Sequence, residues 1–184
     1  MQAAIALICA EGVGRATFAN IARLGGYSRG LVTHRFGSRQ GLIESVIAHL
    51  RSRPEAVAVE KRVDELPGVE GLLVYFDIYV RHLGTNHEGQ AYYRLLSSAL
   101  ADRSAELELF AVEHDRFKQR LAGLIARGQA EGDIAATIDP SAAAVMVGAT
   151  IFGIAMSVLV HPSLEIDPIC RSCEEGLRKA LAPG

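Results

Sequence analysis

The chain reads as an all-α protein. Across its 184 residues, 49% of them hydrophobic, apolar side chains recur at spacings of three and four. No stretch sustains the period-two alternation of a half-buried strand, and glycine and proline fall between the apolar runs as punctuation. About nine helices account for the pattern. With a mean hydropathy of +0.19 the chain can bury one large core or two small ones.

Ile5, Leu7 and Ile8 have helical spacing, so a first helix is predicted over 3–11, stopped at Gly12 and Gly14. It starts without a cap or a cationic leader, which suggests that residues upstream are missing and argues against a signal peptide. Thr17 caps a second helix over 18–24, ended by Gly25 and Gly26. Ser28 caps a third over 29–36, and Ser38 a fourth reaching about residue 51, where Pro54 and a polar stretch read as a connector. Further helices are expected over 69–83, 91–101, 104–131, 140–160 and 168–181. Asp139 followed by Pro140 gives the eighth helix its cap and first residue.

Charge divides the chain unevenly. Residues 1–50 hold Arg15, Arg23, Arg29, Arg35 and Arg39 against only Glu11 and Glu44, although the whole chain carries a net charge of −2. A small cationic module over 1–46 therefore precedes a neutral-to-acidic body over 47–184. Inside the module, two short helices flank the turn Leu24-Gly25-Gly26-Tyr27, which is helix-turn-helix geometry. Phe18, Ile21 and Ala22 are expected to face inward from the first of the pair, and Leu31, Val32 and Phe36 from the second. Arg29, Gly30, Thr33 and His34 are left outward.

Such a face suits the major groove of double-stranded DNA. Arginine donates two hydrogen bonds to guanine, glycine admits close backbone approach, and threonine offers a hydroxyl and a methyl. The capping hydroxyls of Thr17 and Ser28 lie beside free backbone N–H groups suited to phosphate, and Arg39 is placed for the flanking backbone. A plain solvated face would explain the polarity, but a glycine inside a helix costs about 1 kcal/mol relative to alanine, and a position without a role seldom keeps one.

The stretch "TFANIARLGGYSRGLVTHRFGSRQGLI", Thr17 to Ile43, resembles the DNA-binding domain of the tetracycline-repressor (TetR) family. The shared features are Thr17 opening the second helix, Ile21-Ala22, the glycine turn, Ser28 two residues before Gly30, Phe36 closing the third helix, then Ser38, Arg39 and Leu42. The chain departs from the family at Thr33, where tyrosine is usual, at Arg35 for histidine and at Arg39 for lysine. Arg35 and Arg39 still suit phosphate, whereas the tyrosine's packing and hydroxyl contact do not carry over to Thr33. The resemblance implies a larger C-terminal helical domain for ligand binding and dimerisation. It also implies a palindromic operator and a two-fold dimer through helices at 140–160 and 168–181. A repressor of this kind is released by a small, mostly apolar effector.

In the body, Ser141 to Val160 is twenty residues without a charge, the length of a bilayer span. Its near flanks are acidic (Asp133, Asp139, Glu165, Asp167), which is wrong for a cytoplasmic anchor, so a core and interface helix is expected and no membrane. Tyr75, Tyr79 and His82 share a helical face, and Tyr92, Phe117, Phe152 and Met156 are candidates to converge with them on a pocket, although any one of them also suits a core. Cys9, Cys170 and Cys173 are too few for a disulfide scaffold and fit a reducing cytoplasm. Cys170 and Cys173 have redox or metal spacing without a second ligand pair and read as packing. No nucleophile–base set, phosphate loop or carboxylate pair is present, so neither catalysis nor a cofactor is expected.

Overall fold

The computed structural model describes residues 1–85 and 87–183. Its elements are all helical among those residues: α1 (Gln2–Glu11), α2 (Phe18–Gly25), α3 (Arg29–Phe36), α4 (Arg39–Glu60), α5 (Gly68–Thr85), α6 (His87–Asp102), α7 (Leu107–Glu131), α8 (Pro140–Val160) and α9 (Ile166–Leu181), with short 3-10 turns at Val13–Arg15 and Val63–Glu65. The fold class is the predicted one.

One helix differs in kind from its expectation. Pro54 lies inside α4, which runs nine residues past the predicted end at 51. The proline lacks the N–H that would bond the Leu50 carbonyl, a local penalty for any helix. Tertiary contacts override it: Pro54 and Ala58 are buried, and the Glu55 carboxylate between them is held by two tyrosine hydroxyls. Elsewhere the ends differ by a few residues. α6 starts at His87 rather than 91, and α7 at Leu107 because 104–106 forms a turn closed by Leu107 N–H on the Ser104 carbonyl at 3.1 Å.

The chain divides into two units. The first joins Met1–Arg53 with Asn86–Ala111, so it adds α6 to α1–α3 and the part of α4 up to Arg53. Its core combines Ile5 and Ile8 of α1, Ile21 of α2, Val32 and Phe36 of α3, Leu42 and Val46 of α4, and Leu95 of α6. α1 packs against α6, and Gln2 Nε2 donates to Glu88 Oε1 at 2.8 Å. Glu88 is the one fully buried charged side chain among the described residues, and His49 and Arg53 of α4 face it at 3.4 and 3.3 Å.

The second unit joins Pro54–Thr85 with Val112–Gly184. α5 packs on α8 and α9 around Leu72, Phe76, Leu121, Ile125, Val147, Ile151 and Leu181, all nearly inaccessible. Arg178 grips Glu70 through two hydrogen bonds of 2.9 and 3.3 Å, tying α9 to the start of α5. Asp139 caps α8 by accepting from Ala142 N–H at 2.7 Å, with Pro140 as the first helical residue, as the sequence predicts.

Candidate nucleic-acid interface

The helix-turn-helix forms by the predicted caps. Thr17 Oγ1 accepts from Asn20 N–H at 3.3 Å and Ser28 Oγ from Leu31 N–H at 3.1 Å. Ser38 does the same for Gly41 at 3.0 Å. Gly26 takes the left-handed conformation (φ 70°) that closes α2, where a side chain would be strained. Asn20, not singled out from the sequence, clamps the entry to α2 by donating to the Arg15 carbonyl at 2.9 Å.

Arg29, Gly30, Thr33, His34 and Arg35 are all exposed on α3, which buries only Val32 and Phe36. Leu31 departs from its expected place in the inward stripe: it is 54% exposed. At about 100° per residue, a buried pair at 32 and 36 puts His34 opposite, flanked by Gly30 and Leu31, with Arg29 and Thr33 to one side and Arg35 to the other. The Thr33 hydroxyl donates to the Arg29 carbonyl at 3.0 Å, and the Arg35 guanidinium lies 5.8 Å from the Phe36 ring centre.

Arg39 is exposed in the first turn of α4, but part of it has a structural task. Its Nη2 donates to the Val13 carbonyl at 3.2 Å, bracing the 3-10 turn after α1. It also lines a cleft of about 230 Å³ with Asp102, Ser104 and Glu106. The Ser104 hydroxyl, a backbone N–H and the Arg39 charge outweigh desolvation and hold the Glu106 carboxyl below the usual range.

In the second unit, three of the candidate pocket residues converge. Tyr75 and Tyr79 ring centres are 4.9 Å apart, and Phe117 lies 5.8 and 4.8 Å from them. Both hydroxyls donate to Glu55 Oε1, at 2.5 and 2.7 Å, and the Arg120 guanidinium sits 5.7 Å from the Tyr75 ring centre. Arg120 is itself fixed on Asp64 by bonds of 2.5 and 2.9 Å. Glu55 had no signal in the sequence, because its partners lie 20 and 24 positions away. His82 and Met156 are half-buried, and Phe152 is on the exposed side of α8. Tyr92 belongs to the first unit, where it packs edge-on to Phe110 and Tyr93, both at 5.3 Å. Cys170 is buried and its thiol is pushed up to about 11, by burial first and then by the Asp77 carboxylate; the Cys173 thiol is pushed up by burial as well.

The first unit therefore carries a helix-turn-helix whose second helix shows a cationic outer face, which defines the class of protein. Residues 1–46 match the family of bacterial regulatory proteins described as tetR family. The solved structures similar to the chain extend over its whole length. One, from work on the molecular basis for control of antibiotic production by bacterial hormones, has a TM-score of 0.85 at 24% identity, covering 98% of this chain and 94% of that one. A bacterial regulatory protein in the tetR family from Rhodococcus RHA1 gives 0.77 at 18% identity, with coverage of 100% and 95%. NalD, the secondary repressor of the MexAB-OprM multidrug efflux pump in Pseudomonas aeruginosa, gives 0.70 at 22%, with coverage of 98% and 92%. No curated protein sequence is significantly similar to the chain. The N-terminal module is similar to the tetR family of bacterial regulatory proteins, and the whole chain has the fold of these solved structures.

Proposed function

We propose that the protein is a homodimeric transcriptional repressor that binds a palindromic duplex operator and is released by a small, mostly apolar effector. The observation that carries the reading is the outer face of α3, where Arg29, Gly30, His34 and Arg35 are exposed together on a helix fixed by its cap. Arg29 and His34 read base edges, while Arg35, Arg39 and the cap hydroxyls of Thr17 and Ser28 serve phosphates. A second copy covers the exposed apolar stripe of α8, which includes Val145 (50% exposed), Met146, Phe152 and Val160 (70%). A dimer sets two recognition helices about one DNA turn, ~34–36 Å, apart.

The effector site belongs to the second unit around Tyr75, Tyr79 and Phe117, whose rings offer apolar contact and whose hydroxyls end on Glu55. NalD, a repressor, and the structure from the bacterial-hormone work support repression and small-molecule control as the form of regulation. The release is a population shift: an effector that prefers the body conformation incompatible with the operator lowers operator affinity by its differential binding. The test is fluorescence anisotropy of the full chain on duplex fragments from its own promoter region at two salt concentrations. Binding that weakens steeply with salt, and Arg29→Ala with relaxed sequence preference, support the reading. Absence of salt-dependent binding to any duplex sinks it.

A further inference from the structure

We propose that Leu31 is a sequence-reading residue whose side chain packs on the 5-methyl group of a thymine in the major groove. The proposal rests on the DNA-binding reading and deepens it by assigning a base type to an apolar residue. Leu31 is 54% exposed and stands beside Gly30 and His34 at the outermost part of α3. Gly30 contributes no side chain there, which leaves room for the neighbouring leucine to approach whatever the helix faces.

An isolated exposed leucine needs no explanation. Leu31 is not isolated. Together with Leu24 (54% exposed) and Tyr27 (60% exposed) it lines an open groove of about 710 Å³ between α1, α2 and α3, bordered by Arg35. Tyr27 is held in this position by the turn: its ring lies across Gly25, where a Cβ would come within 2.7 Å of it. An apolar strip bordered by the Arg35 guanidinium fits an occupant that is anionic at its edge and apolar at one point within.

Duplex DNA has that composition at one base alone. In the major groove every other base edge presents hydrogen-bonding groups, and only thymine adds a methyl. Leucine has nothing to donate or accept, so its discrimination must come from that methyl. The Leu31 N–H is already bonded to Ser28 Oγ at 3.1 Å, which leaves the apolar side chain as the contact this residue offers.

The test selects duplexes from a random-sequence pool with the full chain and with Leu31→Ala. The enriched duplex is then remade with uracil in place of each thymine in turn, which removes the methyl and keeps the pairing. Wild type is expected to enrich a thymine at one fixed position per half-site, and uracil there to weaken binding about fourfold, the equivalent of one methyl left unburied. Leu31→Ala binds the thymine and uracil duplexes equally. The proposal is overturned if no uracil substitution weakens wild type by twofold, or if Leu31→Ala retains the full thymine–uracil difference. An enriched site without a methyl effect removes Leu31 alone. Failure to enrich any sequence, with no salt-dependent retention on duplex, removes the DNA-binding reading and this proposal with it. The uracil comparison uses unaltered protein and does not depend on the variant folding.

Discussion

Glu88 shows how one residue organises the first unit. Its carboxylate is 5% exposed and receives Gln2 from α1 and His49 and Arg53 from α4, at the first turn of α6. Burial alone would raise its pKa, but those donors and cations outweigh burial and hold it below the usual glutamate range. Because the folded value is depressed, its contribution is complete above the unfolded value and is lost as pH falls through the folded one. Glu88→Gln is expected to be less stable at neutral pH by about 1–2 kcal/mol, the cost of leaving charged partners unmatched. In urea titrations across pH, the gap to wild type closes as pH falls through the depressed folded value, below which the wild-type carboxyl is protonated too. A gap that stays constant to low pH would mean that shape, not charge, is what Glu88 supplies.

Arg39 has two roles that separate experimentally. As a phosphate contact, Arg39→Ala should weaken binding to all duplexes by a similar factor and lower the salt slope by about one. As the brace on the Val13 carbonyl it should also lower thermal stability slightly, because one hydrogen bond of 3.2 Å is lost. Arg39→Lys restores most of the charge effect but not the directed bond. A change in base preference in Arg39→Ala would place this residue at a base edge instead.

At the scale of elements, the start of α5 and the end of α7 approach backbone to backbone. A Cβ on Gly68 would lie 2.0 Å from the Gly128 backbone nitrogen, and the Gly68 N–H itself donates to Glu131 at 2.5 Å. Gly123, in the same α7, meets nothing within 4 Å. Gly68→Ala is therefore expected to destabilise by about 3 kcal/mol, since backbone cannot move aside as a side chain does. Gly123→Ala is expected to stabilise by about 0.5–1 kcal/mol through helix propensity alone. Thermal unfolding of the pair gives shifts of opposite sign, and a drop for both would contradict the packing described for α7.

Helices with strong local signals were readable without the structure. Ser28, Thr17 and Asp139 bond the N–H groups that their positions predict, since capping is decided within four residues. Local sequence carries less where distant groups decide. Eight residues of α3 make little more than two turns, too few for an apolar pattern to set the phase, so residue type alone points Leu31 inward. Pro54 reads as a stop until the burial of its own ring and the two phenols on Glu55 are known. Of the candidate pocket, Tyr75 and Tyr79 were linked by helical spacing, whereas Tyr92 had no local mark to show that α6 belongs with the first unit. The cationic face of α3 was legible because exposure of arginine is the default and needs no partner.

At the scale of the whole molecule, the question is what covers α8. It is 21 residues long with a mean hydropathy of 2.3, which makes it the one described helix long and apolar enough to cross a membrane, and only 39% of its apolar window is buried in the chain. Its open side carries Val145, Met146, Phe152 and Val160, spaced along one face at helical intervals. A bare apolar stripe of this extent is a site of association in a protein that functions in water. In the proposed dimer the stripe meets its own copy across a two-fold axis, so one substitution enters the interface twice. Phe152→Arg, at a position 37% exposed in the single chain, should leave folding intact and bring two like charges together at the interface. Sedimentation velocity is expected to show dimer for wild type and monomer for the variant. Operator binding should then fall with it, and the salt slope should drop to about half, because a monomer neutralises half the phosphates. A variant that stays dimeric, or wild type that is monomeric yet binds the operator with the full slope, would remove α8 from the interface and leave its open face to some other partner.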